Sequence, residues 1–560
     1  MTLAVLPLMS EVPGAPSSSP SVIEYVLARL SAIGVSDVFA VPGDDAFAVQ
    51  DALVRSPAVR YVGCCNELDA GYAADGYARI RGVGALSTTY GVGELSAINA
   101  IAGAYAEHVP VFHLVGMPSV RARSVHHTLG DGELDLFRNM AESVVCASAV
   151  MTPENAVDET DRLISDALHD RRPVYMAFPS DLADQPIVGS PEPLRPPMSD
   201  HASLRSAIEA ILAVLDRARS ACILPGLLAV RAGARDHLQA FVDASGLPFA
   251  TMFIDKSVLE EQQPAFIGMY DGKLMDEAVR DFVESCDVVV TVGTMMTDLG
   301  TGAFTSHLDR ERTIDIRLHC THVGPEVYRN VEMRDVLTEL ARRVTKRELR
   351  PAVRPSSLGV AAGRGRDPIT VDALYPRWAG FLKPRDILVA ETGTCSLGLA
   401  FALMPKGATF LNQTLWGSIG WATPAAFGAA VAAPDRRVVL VTGEGSHEMT
   451  AQEISQLGRR GLKVTVFVLN NSGYLIERLL CRNPESGYND LASWRYSEIP
   501  HALGCDGWLT ARVETCGELD KALKDAERAQ GAAYIEVVTD KYAAPPLARR
   551  LRENLGTPHG

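Results

Sequence analysis

Long apolar runs are missing from this 560-residue chain: no segment approaches the roughly 20 uninterrupted apolar residues that span a bilayer, so no membrane-spanning helix is expected. Positive charge is also short. There are 53 Lys and Arg against 68 Asp and Glu, a formal charge of −15, and no basic stripe offsets it. Nucleic-acid binding relies on clustered Lys and Arg neutralising phosphates, so a nucleic-acid partner is not expected. The ten cysteines are scattered, with Cys64 and Cys65 adjacent and no CxxC pair, which points to neither a zinc site nor a disulfide framework. Reduced, mostly buried thiols are expected instead. The opening MTLAVLPLMSEVPGAPSSSP has a short apolar run but no basic residue before it, unlike a secretory signal, and reads as a Pro- and Ser-rich arm. A cytoplasmic protein is the expectation.

What is present is an ordinary globular composition, 47% hydrophobic and 22% charged, on a chain too long for one core. From about residue 21 to 190, apolar runs (SDVFAVPG, VRYVGCC, GALSTTYG, VPVFHLVG, RPVYMAFP) alternate with helical stretches, the pattern of a parallel sheet covered by helices. A second alternating segment, residues 200–346, has SACILPG, LPFATMF, DVVVTVG and RTIDIRL as its strands. No GxGxxG follows a strand there, so the segment shows no sign of a nicotinamide or flavin site and reads as structural. Residues 347–368, rich in Arg, Pro and Gly, read as a linker. Alternation resumes over 369–545 with DILVAETG, ATFLNQ, RVVLVTG, KVTVFVLNN and AAYIEVV, leaving 1–20 as a flexible arm and 546–560 as a tail. The fold class is α/β with three parallel-sheet domains, of which the first and third could be structurally related.

The richest stretch is RRVVLVTGEGSHEMTAQEISQLGRRGLKVTVFVLNNSGYLIERLL. One strand, Val438 to Val441, ends in the turn Gly443-Glu444-Gly445; a second, Val464 to Leu469, ends at Asn470-Asn471. A right-handed strand-helix-strand unit brings both polar tips to the carboxyl edge of one sheet, where open α/β folds bind ligands. Glycines beside Glu444 let the backbone come close to a phosphate, and a carboxylate, an amide and a loop carbonyl are the hard oxygen donors that magnesium takes.

This unit, with its 27 residues from acid to amide (444 to 471), resembles the thiamine diphosphate motif that opens with GDG and closes with NN. The resemblance implies a thiamine diphosphate-binding fold, with Mg2+ held by Glu444, Asn471 and the carbonyl of Gly473, and the diphosphate near Gly443, Gly445 and Ser446. Glutamate stands here where the family usually has aspartate. YVGCCNELDAGYAADGYARIRG resembles the pyrimidine-binding segment of the same family, in which Glu67 meets the aminopyrimidine ring; its many small residues also suggest close packing against another surface. Residues 21–190 are then the pyrimidine domain, 200–346 the central domain and 369–545 the diphosphate domain.

VHHTLGDGELDLF resembles the HH element of pyruvate, indolepyruvate and related 2-oxo acid decarboxylases, with His126 and His127 as the pair. Read without that likeness, two adjacent histidines are a weak metal site, because no third ligand has suitable spacing. VPGDDAFAVQDAL places Asp44, and GYLIERLL places Glu477, on the family's two active-site acids. WGSIGWATPAAFG places Ile419 where a bulky residue props the bent cofactor and Gly417 where a carbonyl meets the aminopyrimidine; AETGTCS places Thr392 and Thr394 beside substrate and diphosphate.

A 2-oxo acid cannot lose carbon dioxide unless the resulting acyl carbanion is delocalised, and a thiazolium supplies that sink. The resemblance therefore implies non-oxidative decarboxylation to an aldehyde, with Glu67, Asp44, His126, His127 and Glu477 as the catalytic residues. Ser396 stands where pyruvate-specific relatives carry a bulky aromatic, and TDLGTGAFTSHL, which contains Leu299, resembles the branch acting on aryl and branched-chain acids. A substrate pocket including Ser396, Leu299 and Ile476 is thus expected to exceed the needs of pyruvate. The family pairs pyrimidine and diphosphate domains from two subunits, which implies a homodimer or homotetramer with active sites at the interface. Two other readings stay open: a carboligase, because the carbanion can attack a second carbonyl, and a cofactor-free scaffold, which only Glu444 supports.

Overall fold

A computed structural model describes residues 19–555 except 122–124, 191–192, 195 and 349–352. Nearly all of the expected arm and part of the expected linker lie outside the described residues. Three sheets form, each built by one of the alternating segments.

The first sheet joins Asp37–Ala40, Arg60–Gly63, Gly84–Thr88, Val111–Met117, Ala147–Val150 and Val174–Pro179. The third joins Ile387–Ala390, Thr409–Leu411, Val438–Gly443, Val464–Asn470, Leu509–Val513 and Ala533–Val538. Numbered within its own domain, each sheet has the strand order 2-1-3-4-6-5, and every pairing is parallel. The two domains therefore share one topology. Parallel pairing demands crossovers, which is why helices cover these sheets and why most strands read as continuous apolar runs.

The central sheet differs from the all-parallel expectation. Five strands run parallel, but Cys320–Val323 and Glu326–Arg329 form an antiparallel hairpin at its edge. Gly324-Pro325 turns the chain there, Gly324 taking a left-handed φ of 56°, a conformation that glycine adopts at no steric cost. At the carboxyl end, where a tail was expected, Pro546–Leu555 forms a helix with Leu547 and Ala548 buried.

Domains one and three meet through two small-residue helices, Glu67–Arg81 and Ala422–Ala432. A methyl group on Gly428 would overlap the Ala73 carbonyl, and one on Gly76 would overlap the backbone of Ala425, so the helices touch backbone to backbone. That is the close packing the Gly- and Ala-rich sequence anticipated. Beside this crossing, Gln452 Nε2 donates to Asp69 Oδ2 at 2.8 Å and the Cys65 N–H donates to Glu453 Oε2 at 3.0 Å. Burial raises both carboxyls, and for Asp69 the charge of Glu453 adds to it. The folded state thus holds protons that the unfolded chain releases above the ordinary carboxylate range, ~4. That contribution to stability is complete below this range and is lost as pH climbs through the raised folded values. Asp69→Asn should accordingly flatten the fall in urea midpoint between about pH 6 and 9; parallel curves for both proteins would contradict it.

Candidate active site

At the carboxyl edge of the first sheet, Asp44 opens the short 3-10 turn Asp44–Ala46 just after the strand Asp37–Ala40. His126 Nε2 lies 3.4 Å from Asp44 Oδ2, and His127 Nε2 lies 3.5 Å from Asp44 Oδ1. The two imidazoles pack with ring centres 3.8 Å apart. His127 is held in a left-handed conformation, φ 58°, and its carbonyl lies against Gly91, where any side chain would collide with it. Glu67 is the first residue of its helix; Asn66 caps that helix by accepting the Asp69 N–H at 2.8 Å, which leaves the Glu67 carboxylate for other work. Glu67 Oε1 sits over Gly93, two residues beyond Gly91, so Glu67 and His127 both border the start of the helix Val92–Ala106. Sequence reasoning missed the buried Glu94, which accepts the Gly91 N–H at 2.8 Å and the Tyr175 hydroxyl at 2.9 Å and so anchors that helix start. Burial pushes the Glu94 carboxyl up to about 7.

At the carboxyl edge of the third sheet, the Asn471 and Gly473 N–H groups both donate to Glu444 Oε1 at 2.9 Å. Glu444 is buried, and burial raises its carboxyl to about 7. Asn471 Oδ1 is buried beside it with no hydrogen-bond partner. A cation can complete a buried acceptor that has no donor, and the carboxylate-amide-carbonyl set has the hardness of a Mg2+ site, so these residues fit the metal. Arg478, also missed in the sequence, is buried and donates to the carbonyls of Asn471 (3.3 Å) and Ser472 (2.5 Å), clamping the loop that carries two of the sequence-predicted ligands. Gly443 has open space over its Cα, as a phosphate-facing glycine needs, whereas a side chain on Gly445 would strike Tyr474 and Leu491. The bareness of Gly445 therefore serves packing. Ser446 is buried in the short helix Glu444–His447.

Thr392 Oγ1 donates to the Gln413 carbonyl at 3.0 Å, and Gly417 faces the Thr392 methyl. The Thr394 carbonyl accepts the Tyr375 hydroxyl, and Ile419 is half-buried in the same loop region as Gly417. The buried Ser396 donates to the Gly393 carbonyl at 3.2 Å, and the Ile476 side chain lies against Gly393, so both border the loop of Thr392. Leu299 packs on the core shared by the central and third domains. Glu477 is exposed on the helix Leu475–Leu480.

The strongest organiser of this edge is a residue the motifs did not single out. Glu391 is fully buried; its Oε1 accepts the Thr392 N–H at 3.0 Å, and its Oε2 accepts those of Gly420 and Ala422 at 3.2 Å each. One carboxylate thus ties the loop of Thr392 to the loop of Gly417 and Ile419, and burial raises it to about 7. An acid placed directly after the apolar strand ILVA was the available signal. Glu391→Gln presents an amide group to donors that need acceptors, and should weaken thiamine diphosphate binding at least tenfold, about 1.4 kcal/mol. Calorimetry of the variant checks it; an unchanged Kd would free Glu391 of this role.

Comparison with known proteins shows the family. Models of the thiamine pyrophosphate enzymes match at residues 20–137 (N-terminal TPP binding domain), 208–341 (central domain) and 391–537 (C-terminal TPP binding domain). An alpha-keto-acid decarboxylase of Mycobacterium ulcerans (strain Agy99) is 41% identical over 545 residues, 96% of each chain. Proteins of the same name are 41% identical in Mycobacterium avium (strain 104), over 94% of each chain, and 40% identical in Mycobacterium tuberculosis (strain ATCC 25618 / H37Rv), over 94% of this chain and 96% of the relative. With all three domain types matched in order and such identity over nearly its whole length, the chain belongs to the thiamine pyrophosphate enzymes, in the family of the alpha-keto-acid decarboxylases.

Proposed function

We propose that this protein decarboxylates a 2-oxo acid larger than pyruvate, aryl or branched-chain, to the aldehyde and carbon dioxide, with thiamine diphosphate and Mg2+. The observation that carries the reading is the convergence of Asp44, His126 and His127 from distant parts of the chain into one ionisable cluster, in a protein related to alpha-keto-acid decarboxylases. Structural needs alone do not call for such a cluster.

Thiamine diphosphate, when bound, would supply the sink for the electron pair left on the substrate carbon as carbon dioxide departs. Glu444, Asn471 and the Gly473 carbonyl hold Mg2+; Gly443 and Ser446 border the diphosphate; Thr392, Thr394, Gly417 and Ile419 seat the cofactor. Glu67 holds a proton at the aminopyrimidine. Asp44, His126 and His127 pass protons among themselves and to the bound acid, and Glu477 supplies a second acid; each positioned group is worth about 10²–10⁴-fold. Ser396, Leu299 and Ile476 bound the space for the substrate side chain. The active assembly is a homodimer or homotetramer, with Glu67 of one chain serving the diphosphate domain of another. Large exposed apolar side chains on the elements that carry the sites, Val92, Leu129, Trp416 and Met449, support such an interface.

The test is carbon dioxide and aldehyde release from the purified protein with thiamine diphosphate and Mg2+, across pyruvate, branched-chain, phenyl and indole 2-oxo acids. Stoichiometric aldehyde, released faster from a large acid than from pyruvate, is expected. Carbon dioxide without matching aldehyde would establish carboligation instead, a reading favoured by the small Ser396 if it leaves room for an acceptor.

A further inference from the structure

Adjacent histidines lacked a third metal ligand in the sequence, and the fold supplies one. We propose that Asp44, His126 and His127 form a zinc-class transition-metal site of three protein ligands, separate from the Mg2+ site, and that filling it stops turnover.

Among the described residues, these three are the one group of His, Cys, Asp or Glu side chains whose potential ligand atoms all lie within 4.8 Å of one another. The two nitrogen-to-oxygen separations, 3.4 and 3.5 Å, exceed the ~2.7–3.2 Å of an N–H···O hydrogen bond. One such separation spans the edge of a tetrahedron around a metal whose bonds are ~2.0–2.2 Å long, which is about 3.3–3.6 Å, and with one ligand atom from each residue every remaining separation stays within 4.8 Å. The two contacts go to different Asp44 oxygens, so a small turn of the carboxylate brings one oxygen to the metal and leaves the fourth corner to water. Three protein ligands with one open position is the arrangement zinc adopts where a small molecule must reach it.

The ligands are held before any metal arrives. The left-handed backbone of His127 is held with its carbonyl against Gly91, and the turn bearing Asp44 rests on Gly116, where a side chain would collide with Asp45 and Ala46. Solvent reaches the cluster, since the side chains of Asp44 and His126 are 52% and 64% exposed in the single chain. Ligand chemistry separates this site from the Glu444 site. Imidazole suits zinc, copper, nickel and iron, whereas Mg2+ prefers an all-oxygen shell and keeps its waters, so excess Mg2+ does not displace the bound ion.

Metal binding rests on this geometry alone; the inhibition rests on the proposed function. An imidazole bonded to a metal through Nε2 cannot exchange a proton there, and a carboxylate on a metal is no longer a base. Occupancy therefore removes three proton-handling groups together.

The experiment uses the full chain with saturating Mg2+ and thiamine diphosphate, Zn2+ in equilibrium dialysis and Co2+ as a visible-absorption probe. One Zn2+ per chain and Co2+ bands of a low-coordinate site are expected, with affinity reduced at least tenfold in both Asp44→Asn and His127→Ala. His501→Ala, at an exposed histidine paired with Asp506, should bind as the parent does. Unchanged Zn2+ affinity in the two triad variants, or no binding by the parent protein, would overturn the site. Should a variant fail to fold, acylation of histidines in the parent protein decides: Zn2+ must protect the peptide bearing His126 and His127, and absence of protection sinks the proposal. Tight binding with undiminished turnover would leave the metal site standing and remove the triad from catalysis.

Discussion

Replacing Glu67 with glutamine should lower kcat by about 10²–10⁴-fold while thiamine diphosphate and Mg2+ bind nearly as before. The helix that Glu67 begins is capped by Asn66, so its start does not depend on the carboxylate. Glutamine has the same shape and can still rest over Gly93. What the change removes is the ability to accept and hold a proton, and the two strand tips of the proposed Mg2+ site belong to another sheet, so metal affinity has no reason to move. Steady-state kinetics paired with calorimetric Kd values measures both quantities. A kcat within threefold of the parent would show that Glu67 is only a helix-terminal residue, and a large loss of cofactor affinity would show a binding role instead.

Arg79→Ala should destabilise the chain by about 3–5 kcal/mol, because it removes the direct ion-pair partner of two buried carboxylates. Arg79 Nε donates to Asp75 Oδ1 at 2.6 Å and its Nη2 lies 2.8 Å from Glu107 Oε2, with all three side chains buried. The network crosses between domains. Arg79 Nη1 donates to the Asn412 carbonyl at 2.9 Å, Trp421 Nε1 donates to Asp75 Oδ1 at 2.8 Å, and Glu107 Oε1 accepts the N–H groups of Leu415 and Trp416. The guanidinium also stacks over the Trp421 ring, its carbon 4.7 Å from the centre. Losing it therefore loosens the 412–421 loop, which carries Gly417 and Ile419, as well as the core. Urea unfolding followed at the first transition reads the stability, since a three-domain chain need not unfold in one step. A loss below about 1 kcal/mol would mean that water enters and solvates the orphaned acids.

Local patterns made much of the architecture legible. Strands such as VVLVT and VTVFVLN are short, apolar and bounded by glycine or asparagine, and their positions followed from that alone. Less was legible where the pattern is weaker. The strands Ala147–Val150 and Leu509–Val513 are partly exposed edge strands with mixed composition, and they escaped the reading. The Cys320–Arg329 hairpin escaped it because its two strands are short and polar, although Gly324-Pro325 marked the turn between them. Among site residues, Glu94, Glu391 and Arg478 went unnoticed for one reason: each works on backbone groups of a neighbouring loop, and such partnerships leave no spacing in the sequence.

The sequence by itself determined that Glu444 and Asn471 would share one edge. A parallel sheet delivers the carboxyl ends of its strands to the same side, so two strands and a crossover helix suffice. It likewise determined the tight helix contact of the first domain, because Gly and Ala spaced along Glu67–Arg81 leave no side chains to keep another backbone away. Only the tertiary structure decided that Asp44 faces both histidines and that Glu391 joins two loops. Those meetings depend on where long connections return over the sheet edges, and nothing periodic in the chain records that path. Chemistry was therefore readable wherever one strand-helix-strand unit carried it, and hidden wherever separate loops had to converge.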